Sequence, residues 1–167
     1  MAGRLSKPVS STPDLIARAE LQIATKGAGL IEFTREAVKF LGECGAGDGV
    51  FTAFVRHTSA SLTIQENADP DVRRDLIAAL QRLAPEDAGW VHDTEGPDDM
   101  PAHIKSMLTG VSLSLPVADG RPTLGTWQGL YLVEHRRSPH RREIVLQFVG
   151  SRGSTIELPR QPRRIRL

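Results

Sequence analysis

The 167-residue chain contains a single cysteine, Cys44, so no disulfide can form within it, and that thiol suits a reducing compartment or plain core packing. No apolar run approaches the roughly 18 residues needed to cross a bilayer. The opening stretch MAGRLSKPVSSTPDL lacks an apolar core followed by a small-residue cleavage site, so a cytoplasmic protein is expected. Compact catalytic motifs are missing as well. There is no His-Glu-x-x-His and no Cys-x-x-Cys, Ser59 and Ser61 do not sit in a Gly-x-Ser-x-Gly elbow, and LGTWQGLY is not a dinucleotide fingerprint. No internal repeat is present. Any site must therefore be assembled from residues far apart in the chain.

What is present is an ordinary globular composition, 40% hydrophobic and 25% charged, in a length that suits one domain with a sizeable core. The net charge of +1 hides a segregated distribution. Asp93, Glu95, Asp98 and Asp99 fall together without a Lys or Arg among them, whereas HRRSPHRR (135–142) and RQPRRIRL (160–167) are strongly basic. The boundaries expected are a loose arm over 1–13, a domain over 14–152 and a basic tail over 153–167. No aromatic residue interleaves the tail, so it reads as a solvated end and nucleic acid is not the expected partner.

Alternation in ARAELQIAT predicts a half-buried strand, and TREAVKFLGECG then changes to a helical period, with Phe33, Ala37, Leu41 and Cys44 inward, Thr34 as cap and Gly45 as stop. GVFTAFVRHTSASLTIQE (49–66) reads as one strand leading into a second. Asp69 and Pro70 open a helix whose inward residues are Val72, Leu76, Leu80 and Leu83. A shorter helix in DDMPAHIKSMLTG takes Asp98 or Asp99 as cap and turns Met100, Ile104, Met107 and Leu108 inward. Strands in VSLSLPV, TWQGLYLVEH and REIVLQFVG complete the chain. The fold expected is α+β: one mainly antiparallel or mixed sheet with helices packed on one face. Leu130 to Val133 are apolar on both sides, which points to burial of that strand against another subunit.

The five histidines sit beside polar or charged neighbours, four of them at the ends of predicted elements. His103 falls in the first turn of its helix, where the positive end of the dipole disfavours imidazolium and leaves a ring able to bind metal. His57 and His135 continue the inward faces of two strands, and three imidazoles with an open position suit zinc or a similar divalent ion. The structural alternative for each is a hydrogen-bonded rim or core histidine. Asp98 or Asp99 is needed as a cap, which leaves Asp93 and Glu95 freest to act as base, ligand or partner to an imidazole. The arginines at 136, 137, 141 and 142 suit an anionic or phosphorylated small metabolite.

Together, HTSASLTIQENADPDVRRDL, HDTEGPDDMPAHIKSMLTG, LGTWQGLYLVEHR and PHRREIVLQFVG resemble the YjbQ-like family, also described as secondary thiamine-phosphate synthases, over roughly residues 15 to 150. The resemblance implies a homotrimer and a weak activity joining hydroxymethylpyrimidine diphosphate to thiazole phosphate. Carried over, its motif positions are His57, Thr58, Ser59, Glu66, Asn67, Asp69, His92, Glu95, Gly96, Asp98, Asp99, His103, Gly125, Trp127, Gln128, Glu134, His135 and Arg136. The roles expected are catalysis by His57, Glu95, His103 and Arg136, and binding of zinc or magnesium by His57, His103 and His135. Ligand contacts are expected from Thr58, Ser59, Glu66, Asn67, His92, Asp93, Asp99, Gln128 and Glu134. The alternative is a trimeric module that binds a metal or metabolite without catalysis.

Overall fold

The computed structural model describes residue 3 and residues 5–153, so most of the basic tail lies outside the described residues. The elements run β1 (Leu15–Ala24), β2 (Gly29–Glu32), α1 (Thr34–Glu43), β3 (Ala46–Val55), β4 (Ala60–Glu66), α2 (Pro70–Leu83), α3 (Asp99–Thr109), β5 (Ser112–Ala118), β6 (Arg121–Pro122), β7 (Gln128–Glu134) and β8 (Arg141–Arg152). The class is α+β, as expected, but its strands form two antiparallel sheets rather than one. A five-stranded sheet runs β1-β8-β3-β5-β6 and a three-stranded sheet runs β2-β7-β4.

Period-two patterning explains the core. Phe51, Ala53 and Val55 of β3 and Ile144, Leu146 and Phe148 of β8 share one face of the larger sheet. They join Ala60 and Leu62 of β4 and Leu130 and Leu132 of β7 in one hydrophobic cluster, completed by Ala37 and Leu41 of α1. This is a sheet-on-sheet core. At one end of it β3 and β8 approach so closely that a Cβ on Gly150 would lie 2.2 Å from the Asp48 carbonyl oxygen, so only glycine fits the Gly49–Gly150 pair.

The double-sided apolar character of β7 has a different cause from the one expected. Its neighbours β2 and β4 carry α2 and α3 respectively, and Tyr131 and Val133 are fully buried within the single chain. A second subunit is not what covers them. Helix faces also differ from the expected ones. α3 buries Pro101, Ala102, Lys105 and Ser106 and leaves Met107 and Leu108 exposed, because the Ser106 hydroxyl reaches the Ala60 carbonyl of β4. α2 has no fully buried residue, and Leu83 is 67% exposed. Asp69 caps α2 through the Asp71 N–H, as its sequence suggests. Thr34 is no cap: Phe33 holds that position, and the Thr34 hydroxyl accepts the Leu130 N–H.

Candidate functional site

The start of α3 brings the acidic loop to the end of the fold where β3 passes into β4 and β7 ends. Asp98 precedes the helix but makes no side-chain cap. It spends its carboxylate on the Arg136 Nε at 3.2 Å and the Arg137 N–H at 2.8 Å. Burial pushes the Asp98 carboxyl up, but the hydrogen bonds from Arg137 and Arg136 outweigh it and hold the group below its ordinary value. Asp99 is buried too, with Oδ1 paired to Arg136 Nη1. The remaining Arg136 amine gives a hydrogen bond to the Glu95 carbonyl at 2.7 Å. Every nitrogen of Arg136 is thus engaged in fixing this loop, so it is a positioning residue rather than the substrate clamp expected.

With Oδ1 anchored, Asp99 turns Oδ2 toward two imidazoles. His92 Nε2 lies 2.7 Å away and His103 Nε2 3.4 Å away. The His103 Nδ1 lies 3.1 Å from the Thr58 carbonyl, an acceptor only, so Nδ1–H is the donor there and Nε2 is the ring atom that faces Asp99. His92, Asp99 and His103 form the one group of metal-type ligands found among the described residues, with donor atoms all within 4.8 Å of one another. Two ligands on a tetrahedral ion sit about 3.4 Å apart for bonds of about 2.1 Å. The Asp99–His103 separation already matches that edge, and the His92 ring, half-exposed, needs to back away by well under an ångström.

The other two histidines of the expected metal set are absent from this group. His57 Nε2 is taken by the Glu143 N–H at 3.0 Å, and burial, followed by the charge of Arg142, lowers its pKa. His135 lies on the helix-facing side of the three-stranded sheet, where its Nε2 is 2.8 Å from Ser61 Oγ. His57 falls just beyond the end of β3 and His135 just beyond the end of β7, and the two rings take different partners. The protons in the His135 chain have one consistent arrangement. Thr109 Oγ1 gives its proton to the Lys105 carbonyl at 2.7 Å, Ser61 gives its own to Thr109 at 2.6 Å, and His135 must then donate from Nε2. Nδ1 is left as a buried acceptor without a partner, in a small cavity beside Lys105. Burial first, and the Lys105 charge second, push the His135 pKa down to about 4.

The remaining expected ligands divide in the same way. Glu134 is fully buried and paired with Arg142 at 2.6 Å and 2.8 Å, with Thr25 as a further donor. Burial raises its pKa, but the Arg142 hydrogen bonds outweigh that and hold it below the usual carboxylate range. Arg142, unlike Glu134, was no individual candidate, although period-two spacing from Ile144, Leu146 and Phe148 marks it as inward. Glu66, Asn67 and Gln128 lie at the opposite end of the β4–β7 ladder, since Glu66 pairs with Gln128 and Ala60 with Glu134. At about 3.3 Å per residue this places them roughly 20 Å from the metal-type cluster. Gln128 there closes a turn by accepting the Gly125 N–H. The side chains of Asp93 and Glu95 are exposed and do not join the cluster.

A profile of the family described as UPF0047 protein YjbQ-like matches residues 19–151. The chain belongs to this family. A UPF0047 protein of Synechocystis is 51% identical over 131 residues, covering 78% of this chain and 89% of that one. YjbQ of Salmonella typhimurium is 50% identical over 102 residues, 61% of this chain and 74% of its own. Among solved structures, a conserved YjbQ/UPF0047-family protein of Clostridium acetobutylicum is 36% identical with a TM-score of 0.72, covering 78% of this chain and 98% of that one. A conserved protein of Thermus thermophilus is 38% identical with a TM-score of 0.69, covering 77% and 97%. Among the described residues no helix is long and apolar enough to cross a membrane.

Proposed function

We propose that this YjbQ-like chain is a divalent-metal-dependent enzyme acting on phosphorylated small metabolites, with His92, Asp99 and His103 as the ligands. The observation that carries the reading is the convergence of three donor atoms within 4.8 Å on a carboxylate held by Arg136. Two imidazoles and one carboxylate favour zinc or another transition ion over magnesium, which prefers oxygen ligands and retained water. An ion held by these three residues would supply Lewis-acid chemistry, offsetting the charge of a departing diphosphate.

The reaction we assign is the coupling of hydroxymethylpyrimidine diphosphate with thiazole phosphate. The bond between the exocyclic carbon and the diphosphate oxygen breaks, its electron pair leaving with diphosphate. The thiazole nitrogen lone pair then closes a carbon–nitrogen bond and the ring becomes cationic. No proton passes between the substrates, so no side chain is required to move one. The chain's own contribution is positional. Thr58 holds the His103 tautomer, and Arg136, itself held by Asp98 and Glu95, holds Asp99.

Assembly as a homotrimer belongs to the same reading. In its support, Ile16, Val149, Val50 and Pro116 pair successively across four strands on the outer face of the larger sheet, and all four are exposed. The test combines native mass, elemental analysis and product detection with metal-loaded protein. Metal retained by the wild type and lost by His103→Ala, with thiamine phosphate formed only by the former, is the expected result. Metal without product defines a binding module, and no metal at all overturns the reading.

A further inference from the structure

Thr58, whose carbonyl orients His103, also borders an open pocket of about 580 Å³ formed with Phe54, Val55, His57, Ser59 and Val111, with Arg56 at its rim. Its polar groups share one property. The partner of His57 Nε2 is the Glu143 N–H, which can only donate, so Nε2 must accept and the proton of the neutral ring sits on Nδ1. Ser59 Oγ lies 3.1 Å from Arg142 Nη2, which also can only donate, so this oxygen accepts and its own proton remains to be given. Arg56 adds a cation that is itself half-exposed, with Glu20 at 3.3 Å and Glu143 at 3.6 Å as its carboxylate neighbours. The His57 ring has its acceptor nitrogen taken and an N–H left to give, and Ser59, already accepting from Arg142, keeps its own O–H to give.

We propose that this pocket is an oxyanion subsite in which His57 Nδ1–H and the Ser59 hydroxyl hold the phosphoryl group of a second substrate beside the metal centre. A phosphoryl group offers acceptors only, which the two donors match. The apolar walls from Phe54, Val55 and Val111 then take the organic part of the same molecule. This assignment gives His57 the role of donor in place of metal ligand or base. It rests on the two-substrate reading above, and the test separates the two.

Inorganic phosphate is titrated into full-length protein, metal-stripped and zinc-loaded, with the histidine nitrogens followed by long-range nitrogen–proton spectra. Free protein should show His57 protonated on Nδ1, with that resonance moving as phosphate binds. His57→Ala and Ser59→Ala should each weaken phosphate about tenfold or more. His103→Ala should lose zinc while still binding phosphate more tightly than either pocket variant, because Thr58 is the one group the two sites share. Finding the His57 proton on Nε2 overturns the proposal, as does unchanged phosphate affinity in both pocket variants, or loss of phosphate together with zinc in His103→Ala. Phosphate binding that depends on His57 in a protein that takes up no zinc supports the subsite and overturns only the metal reading. The tautomer is read in the wild type, so a variant that fails to fold does not decide the outcome.

Discussion

Acidification should weaken this fold through His135 in a pH window set by one buried ring. His135 is 3% exposed, its Nε2 proton is committed to Ser61, and its Nδ1 has no partner, so the ring is stable only when neutral. Burial, with the charge of Lys105 second, lowers its pKa from 6.5 to about 4. Between those values the unfolded chain binds a proton that the native protein refuses, so stability falls as pH falls. The full contribution is present above pH 6.5, and the loss is complete once pH has dropped through about 4. At about 1.4 kcal/mol per pH unit, the window amounts to roughly 3 kcal/mol. Urea unfolding of wild type and His135→Gln, at fixed protein concentration across this range, isolates it. The wild-type stability relative to the variant should decline by about 3 kcal/mol on acidification. Asp98 and Glu134, held below their ordinary values, lose their contribution at lower pH and cancel in the difference. Parallel curves for the two proteins would refute the assignment, because they mean that the native state accepts the proton at Nδ1.

Three further outcomes follow from the same contacts. Arg136→Ala should weaken zinc about 10- to 100-fold in competition with a chromophoric chelator, and Arg136→Lys should not restore it, because an ammonium cannot span Asp98, Asp99 and the Glu95 carbonyl. Arg142→Met should destabilise by about 3–5 kcal/mol in denaturant titration by stranding the Glu134 carboxylate, and adding Glu134→Leu should recover most of that loss. Gly150→Ala places a Cβ within 2.7 Å of the Gly49 Cα as well as against Asp48, and should lower the unfolding free energy by about 3 kcal/mol.

Much of this architecture was legible before any coordinates. Alternation in 17–25 and helical spacing after Asp69 and Pro70 correspond to β1 and α2, and His57 and His135 fall just beyond the ends of β3 and β7. The candidate site was legible in composition more than in membership. His92, Asp99 and His103 were all singled out, yet only His103 was read as a metal ligand. The acidic loop misled for a reason that can be named: Asp98 and Asp99, set aside as helix caps, are the buried and partnered pair, while Asp93 and Glu95 stay in solvent. A cap is satisfied by backbone one turn away, whereas Arg136 lies 37 residues further along the chain from Asp99. Local pattern cannot rank those two partners.

The sequence by itself determined which residues lie inward along each strand, where the helices begin, and which family the chain resembles, because these depend on neighbours within a turn or a pleat. Only the tertiary structure decided that the strands divide into two sheets. The same packing sets His92 and Asp99 beside His103, while His57 and His135 take partners of their own in the Glu143 N–H and Ser61. It also decided the proton positions, since the tautomers of His57, His103 and His135 are set by a backbone amide, a carbonyl and a serine that reach them from other elements. Pairing across a sheet is a long-range choice, and the chemistry of each ring follows from whichever group that choice sets against it.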